Sequence, residues 1–303
     1  GRYSTEATFT PSTAPFRVPV ARTSTFTVSA GAWGAPCLPP VAARNATPSF
    51  RAGTEAPVAG GDSPLVIGLS RKDIDQHFGS FALTLPPGLI ADFGSVPIGG
   101  AVGSVRVEAG LDPQPLALDG TVYLGGPYEG APYSLEFVVQ AKVGPFDFGT
   151  IVRRAAITVD PETAQISVRS DPLPQILVGV PLELRALTID LDRPGLVRNP
   201  TNCEPMAITG SVTSSIGQAA SVSDRFQAAD CAALAFRPKL SLRLTGALRR
   251  SGHPGVHAVM SGAEGEATPA SASFTLPAGE LLDLRHIRAL CPRGVKDDEC
   301  PRT

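Results

Sequence analysis

Apolar and polar residues alternate along most of this chain with a period of two. In "AQISVRS" (164–170), Ala164, Ile166 and Val168 fall on one side and Gln165, Ser167 and Arg169 on the other. "SVRVEAG" (104–110) turns Val105 and Val107 one way, and "LSLRLTG" (240–246) does so with Leu240, Leu242 and Leu244. Successive side chains of an extended strand point to opposite faces, so this alternation predicts strands with one buried face. Further strands are predicted at 23–29, 65–70, 80–85, 121–124, 134–141, 150–159, 183–191 and 206–213. Most end in Gly, Pro, Asp or Asn, the residues that turns require. Only two stretches carry a helical signal. "PPGLIADF" (86–93) can start a short helix, and "AGELLDLRHIRAL" (278–290) places Leu281, Leu284 and Ile287 at helical spacing. The fold class expected is all-β: tandem antiparallel β-sandwich domains of immunoglobulin-like size, with one or two short helices.

One block occurs twice. "FALTLPPGLIADF" (81–93) and "ASFTLPAGELLDL" (272–284) share Thr-Leu-Pro, a glycine and an aspartate at matching places, 191 residues apart. In each, the proline removes a ladder donor and so ends a strand, and a short helix is expected to follow. "SFRAG" (49–53) and "AFRPK" (235–239) precede the two copies, each with a cysteine upstream. The expected layout is three domains: residues 1–103, with an extended N-terminal segment; 104–200; and 201–303, a repeat of the first. "GGAVG" (99–103) and "RPGLVRNPTN" (193–202) would be the linkers. The polar, proline-interrupted residues 2–20 are expected to lie extended against another domain or a neighbouring subunit, or to form a loose leader.

Composition narrows the class without naming an activity. Hydrophobic residues are 43% and charged residues 18% of the 303, enough to build cores and too little charge for a disordered chain. With 31 glycines and 30 prolines in no period, the chain reads as many turns between short strands. A net charge of −2 leaves no electrostatic footprint for nucleic acid. The longest apolar runs fall well short of the roughly 20 residues a membrane helix needs. The sequence opens without Met or a signal region, as a processed form or an excised fragment would.

Five cysteines are present, with no C-x-x-C spacing. Cys203 with Cys231 and Cys291 with Cys300 bracket short segments and are expected as disulfides of an extracytoplasmic protein. Chain entropy gives about 3.6 kcal/mol for the first loop and about 2.7 kcal/mol for the second. Cys37 is left over, either as a small buried hydrophobe or as half of a bridge to a partner elsewhere.

Three segments carry a resemblance: "DPLPQILVGVPLELRALTIDLDRPGLVRNPTNCEPM" (171–206), "YLGGPYEGAPYSLEFVVQAKVGPFDFGT" (123–150) and "SFTLPAGELLDLRHIRALC" (273–291). They resemble parts of very large secreted multidomain repeat proteins of high-GC soil bacteria, with the run from Asp192 to Cys203 the most specific. The resemblance covers most of residues 45–303. It departs at 98–103, where those proteins carry a longer cysteine-containing segment, and Cys37 is thereby left without an assigned partner. The family has no assigned activity, so the resemblance implies an extracellular or cell-surface repeat protein and no catalytic residues.

Candidate chemistry is sparse. No nucleophile elbow, zinc-protease motif or phosphate loop is present. His253 and His257 are four apart, but Pro254 and Gly255 interrupt regular structure between them. Asp73/Asp75, Asp190/Asp192 and the cluster Asp297, Asp298 and Glu299 place carboxylates together, as weak calcium sites or as solvated surface. Trp33, Tyr128 and Tyr133 are the aromatics best suited to sugar or partner contact, against local packing of each ring. No enzyme, cofactor or metal is expected. The leading expectation is a structural or adhesive cell-surface block that meets other copies of itself or neighbouring domains and assembles head to tail. A carbohydrate- or ligand-binding module is the alternative.

Overall fold

The structure, a computed structural model, describes residues 1–12, 18–31, 34, 36–110, 114–249, 252–263, 265–269 and 271–275. The chain divides into two units, Gly1–Ala229 and Asp230–Thr303. Every sheet is antiparallel, and among the described residues no helix reaches seven residues.

The first unit begins with a hairpin, β1 (Arg2–Phe9) and β2 (Val20–Thr27), which forms a sheet of its own. The main strands follow: β3 (Ser49–Thr54), β4 (Leu65–Ser70), β5 (Phe78–Thr84), β7 (Ala101–Ala109), β8 (Leu116–Gly125), β9 (Tyr133–Val143), β10 (Phe146–Val159), β11 (Ile166–Ser170), β14 (Leu184–Leu191), β16 (Met206–Ser214) and β17 (Ala219–Phe226). Short strands β6 (Ile90–Ala91), β12 (Ile176–Leu177), β13 (Val180–Pro181) and β15 (Val197–Arg198) lie in the connections. The eleven main strands make one sheet in the order β17-β16-β5-β11-β10-β9-β8-β7-β14-β4-β3. The second unit holds one hairpin among its described residues, β18 (Lys239–Thr245) with β19 (Gly255–Ser261).

The large sheet is nearly closed on itself. Its two end strands approach where the Ala52 backbone N–H donates to Asp224 Oδ2 at 2.9 Å. Just past the ends of β3 and β17, Val58 and Ala229 form a parallel bridge. The parity of the strands explains that bridge. With an odd number of alternating strands, the first and last run the same way, so the closing pair cannot continue the antiparallel ladder. The seam therefore rests on a side chain and one bridge, while the ten neighbour pairs within the sheet carry antiparallel ladders, four of them with a register shift.

Alternation sets the interior. Leu135, Phe137, Val139 and Ala141 of β9 are buried, and Glu136, Gln140 and Lys142 point away. Leu65, Ile67 and Leu69 of β4 and Leu118, Val122 and Leu124 of β8 join them in one continuous core.

The expected sandwiches are thus replaced by one large sheet, and both expected boundaries are crossed. β5, from the first expected domain, lies between β11 of the second and β16 of the third. Periodicity says which face of a strand is buried and nothing about which strand lies beside it. A helix expected after Pro86 is also replaced: β6 and one 3-10 turn, Phe93–Ser95, follow, with Asp92 Oδ1 accepting from Gly94 N and Ser95 N. The stretch 278–290, with Leu276 and Pro277 of the second repeated block, lies outside the described residues.

Candidate functional site

The two most specific sequence motifs meet at one end of the barrel. β15 pairs with β6, joining the Asp192–Cys203 run to the segment after Pro86. Gly88, at φ +83°, lies against Pro200. Leu89, Leu196, Val197 and Asn199 are buried there. The Asn199 amide accepts from Thr54 Oγ1 at 2.8 Å and donates to the carbonyls of Ala56 and Val58 at 2.8 and 3.0 Å. These contacts use each polar atom of a side chain that would be costly to bury unpaired. The motif is a plug that seals the core and clamps the β3–β4 connection.

A polar cluster closes the opposite end of the same strands. The Arg71 side chain is 1% exposed. Its Nε donates to the Leu184 carbonyl at 2.6 Å and its Nη2 to Glu183 Oε2 at 3.2 Å. His77 Nε2 lies 2.8 Å from that same carboxylate oxygen and 3.5 Å from Arg44 Nη1. The shorter contact decides the tautomer: Nε2 carries the proton and donates to Glu183. Burial, outweighing the attraction of Glu183, lowers the His77 pKa below its usual value. Burial likewise lowers that of Arg71 against the pull of Glu183.

The paired aspartates serve this framework. Asp73 faces Arg185 at 3.1 Å, and Asp75 accepts from Thr47 Oγ1 and Lys72 N at 3.0 and 3.2 Å. Asp190 on β14 has its pKa raised by burial first, then by Asp192 and Glu55. Among the described residues no three His, Cys, Asp or Glu side chains converge as a metal site requires.

The two tyrosines go to separate places. Tyr128 sits in the β8–β9 connection, where its hydroxyl donates to Asp171 Oδ1 at 3.0 Å. The Arg154 guanidinium lies over its ring at 5.2 Å and pairs with Glu136 at 2.6 Å. The hydrogen bond to Asp171 is the main cause raising the Tyr128 pKa. Tyr133 packs on Phe93, ring centroids 5.2 Å apart. Trp33 lies outside the described residues.

Cys203 and Cys231 are joined in a disulfide, and Cys37 is free and exposed. Cys291, Cys300 and the acidic cluster Asp297, Asp298 and Glu299 lie outside the described residues. Among the described residues no helix is long and apolar enough to cross a membrane.

Inside the barrel are two apolar cavities of about 70 and 40 Å³. Phe81 and Phe137 line both. Arg153 and Arg154 reach the larger one.

Two hairpins are almost wholly uncovered. Every residue of β1, β2 and β19 is exposed, and all but Leu244 of β18. Tyr3 stacks on Phe26 at 5.6 Å, and both remain more than half exposed. Leu240, Leu242, Val256, Val259 and Met260 are bare on the second hairpin. The alternation of β18 was legible in the sequence; that its apolar face would meet no core among the described residues was not.

Comparison with known proteins gives no match, whether to family models, to curated proteins or to solved structures.

Proposed function

We propose that this chain is a non-enzymatic extracellular structural block, in which a nearly closed barrel acts as spacer and the exposed hairpins act as connectors in a tandem, adhesive or filament-like assembly. The pair of unpartnered hairpins carries this reading. A two-stranded hairpin is marginal in water on its own, and bare apolar faces and free strand edges are surfaces that recruit further strands. The disulfide supports an oxidising location. The barrel's most specific motif and its buried polar cluster are both engaged in holding the fold. The mass of the full chain, followed by light scattering over a hundredfold concentration range, tests the reading. Mass should rise with concentration; a constant monomer mass would sink it.

A ligand-binding module is the second reading, and the interior cavities favour an apolar ligand over a sugar. Voids of this size in a native core are uncommon, and apolar ones stay dry and take apolar guests. Tyr128 and Tyr133 give less support to a sugar platform, since Arg154 covers one ring and Phe93 meets the other. Xenon, small enough for such voids, should shift methyl resonances of Val105 and Leu118 if the cavities are accessible; unshifted resonances would remove this reading.

A further inference from the structure

The order hairpin, 3-10 turn, hairpin occurs twice in this chain. First come β1–β2, the turn Val41–Ala43 and β3–β4; later come β16–β17, the turn Cys231–Ala233 and β18–β19. The pairing registers correspond. In the first set Phe50 lies opposite Leu69, Ala52 opposite Ile67 and Thr54 opposite Leu65. In the second, Leu240 lies opposite Met260, Leu242 opposite Ala258 and Leu244 opposite Val256. The shift is 190 or 191 residues, the distance that also separates the two Thr-Leu-Pro blocks.

The faces correspond as well. In β3–β4, Ala52, Leu65, Ile67 and Leu69 are buried in the barrel and Phe50 packs on its core. In β18–β19 the matching face is wholly apolar, and its residues other than Leu244 are exposed, with no core beneath them among the described residues. The remaining hairpins match at a different offset, Phe226 lying 200 residues after Phe26 and Met206 203 after Tyr3, with Thr5 and Arg22 where β16–β17 has Ile208 and Val222. Met206 faces Phe226 across β16–β17, and Tyr3 faces Phe26 across β1–β2. Cys37 follows β2 as Cys231 follows β17.

The barrel therefore contains the docked form of a contact whose two halves each appear a second time, bare. We propose that β18–β19 of one molecule packs against β1–β2 of a second copy as β3–β4 meets β16–β17 across the barrel seam. The proposal rests on the structural-block reading above and names its partner. At the seam, Asp224 accepts from the Ala52 N–H. The corresponding positions place the Ser24 hydroxyl, a shorter side-chain acceptor, opposite the Leu242 N–H. A seam held by side chains and one bridge, not by a continuous ladder, is a contact that separate molecules can form. The two surfaces differ, so the contact is heterologous and grows without closing.

Two variants in a Cys37→Ser background test this, one putting a carboxylate at the aromatic Tyr3–Phe26 pair of the mixed β1–β2 face, Phe26→Asp, and one in the apolar β18–β19 face, Leu242→Asp. Sedimentation velocity is the readout, with far-ultraviolet circular dichroism to verify an intact barrel. The Cys37→Ser parent should form concentration-dependent oligomers and each variant alone should be monomeric. An equimolar mixture should stop at dimers, because each variant retains one working surface and the two complement each other. A variant that dimerises alone would show like-with-like pairing and overturn the proposal. So would a mixture that stays monomeric. Oligomers unaffected by either change would place assembly elsewhere, overturning this pairing while leaving the structural-block reading standing. A parent that is monomeric throughout would remove both.

Discussion

At the scale of single residues, the polar groups that matter most are those the fold has hidden. Asn199 belongs to a run whose specificity was visible in the sequence, but its task, satisfying a hydroxyl and two carbonyls from the β3–β4 connection, depends on contacts more than 140 positions away. His77 gave no signal at all: it ends the polar run "SRKDIDQH", which reads as solvated surface. The fold instead sets it on Glu183 beside Arg71. Its folded pKa lies below the 6.5 of a free imidazole, chiefly through burial. Protonation therefore favours the unfolded chain. The stability contribution of His77 is complete above about pH 6.5 and is lost as pH falls from there toward the folded pKa. Urea unfolding at pH 7.5 and 5.5 should show the wild type losing more stability between the two than His77→Gln. Equal losses would contradict this account of the cluster.

At the scale of elements, alternation was the reliable guide. The predicted strands at 65–70, 134–141, 150–159, 183–191 and 206–213 fall within or closely beside β4, β9, β10, β14 and β16. Neighbour relations were not legible, because two strands can pair from any separation and leave no local mark. One trace exists in retrospect. Gly210 interrupts β16 opposite Leu83 of β5, and a Cβ there would collide with the Ala82 carbonyl. A glycine inside a strand marks such a close backbone approach. Gly210→Ala should force β16 from β5 and cost about 1–3 kcal/mol or more, as overpacking does. Ser221→Ala, on the exposed face of β17, should stay within about 0.5 kcal/mol. Denaturant midpoints with unchanged slopes would measure both, and a harmless Gly210→Ala would show that the two strands have room to part.

At the scale of the whole molecule, a twice-occurring block is visible in the sequence, whereas the single large sheet is not. By sequence alone the 191-residue interval suggests the distance between the outer two of three small domains. In the structure it is close to the span from the first strand of the barrel to the first strand of the hairpin that follows it. Residues on both sides of the expected linkers belong to one sheet, and the supposed second linker is its plug. The hairpins lie outside that sheet, with exposed apolar side chains that nothing among the described residues covers. If these surfaces are contacts awaiting a partner, amide hydrogen exchange must depend on protein concentration. Amides of Arg2–Phe9, Val20–Thr27, Lys239–Thr245 and Gly255–Ser261 should exchange fast in dilute protein and become protected as concentration rises, while those of β8 and β9 stay unchanged. Hairpin amides whose exchange is the same at every concentration would contradict it.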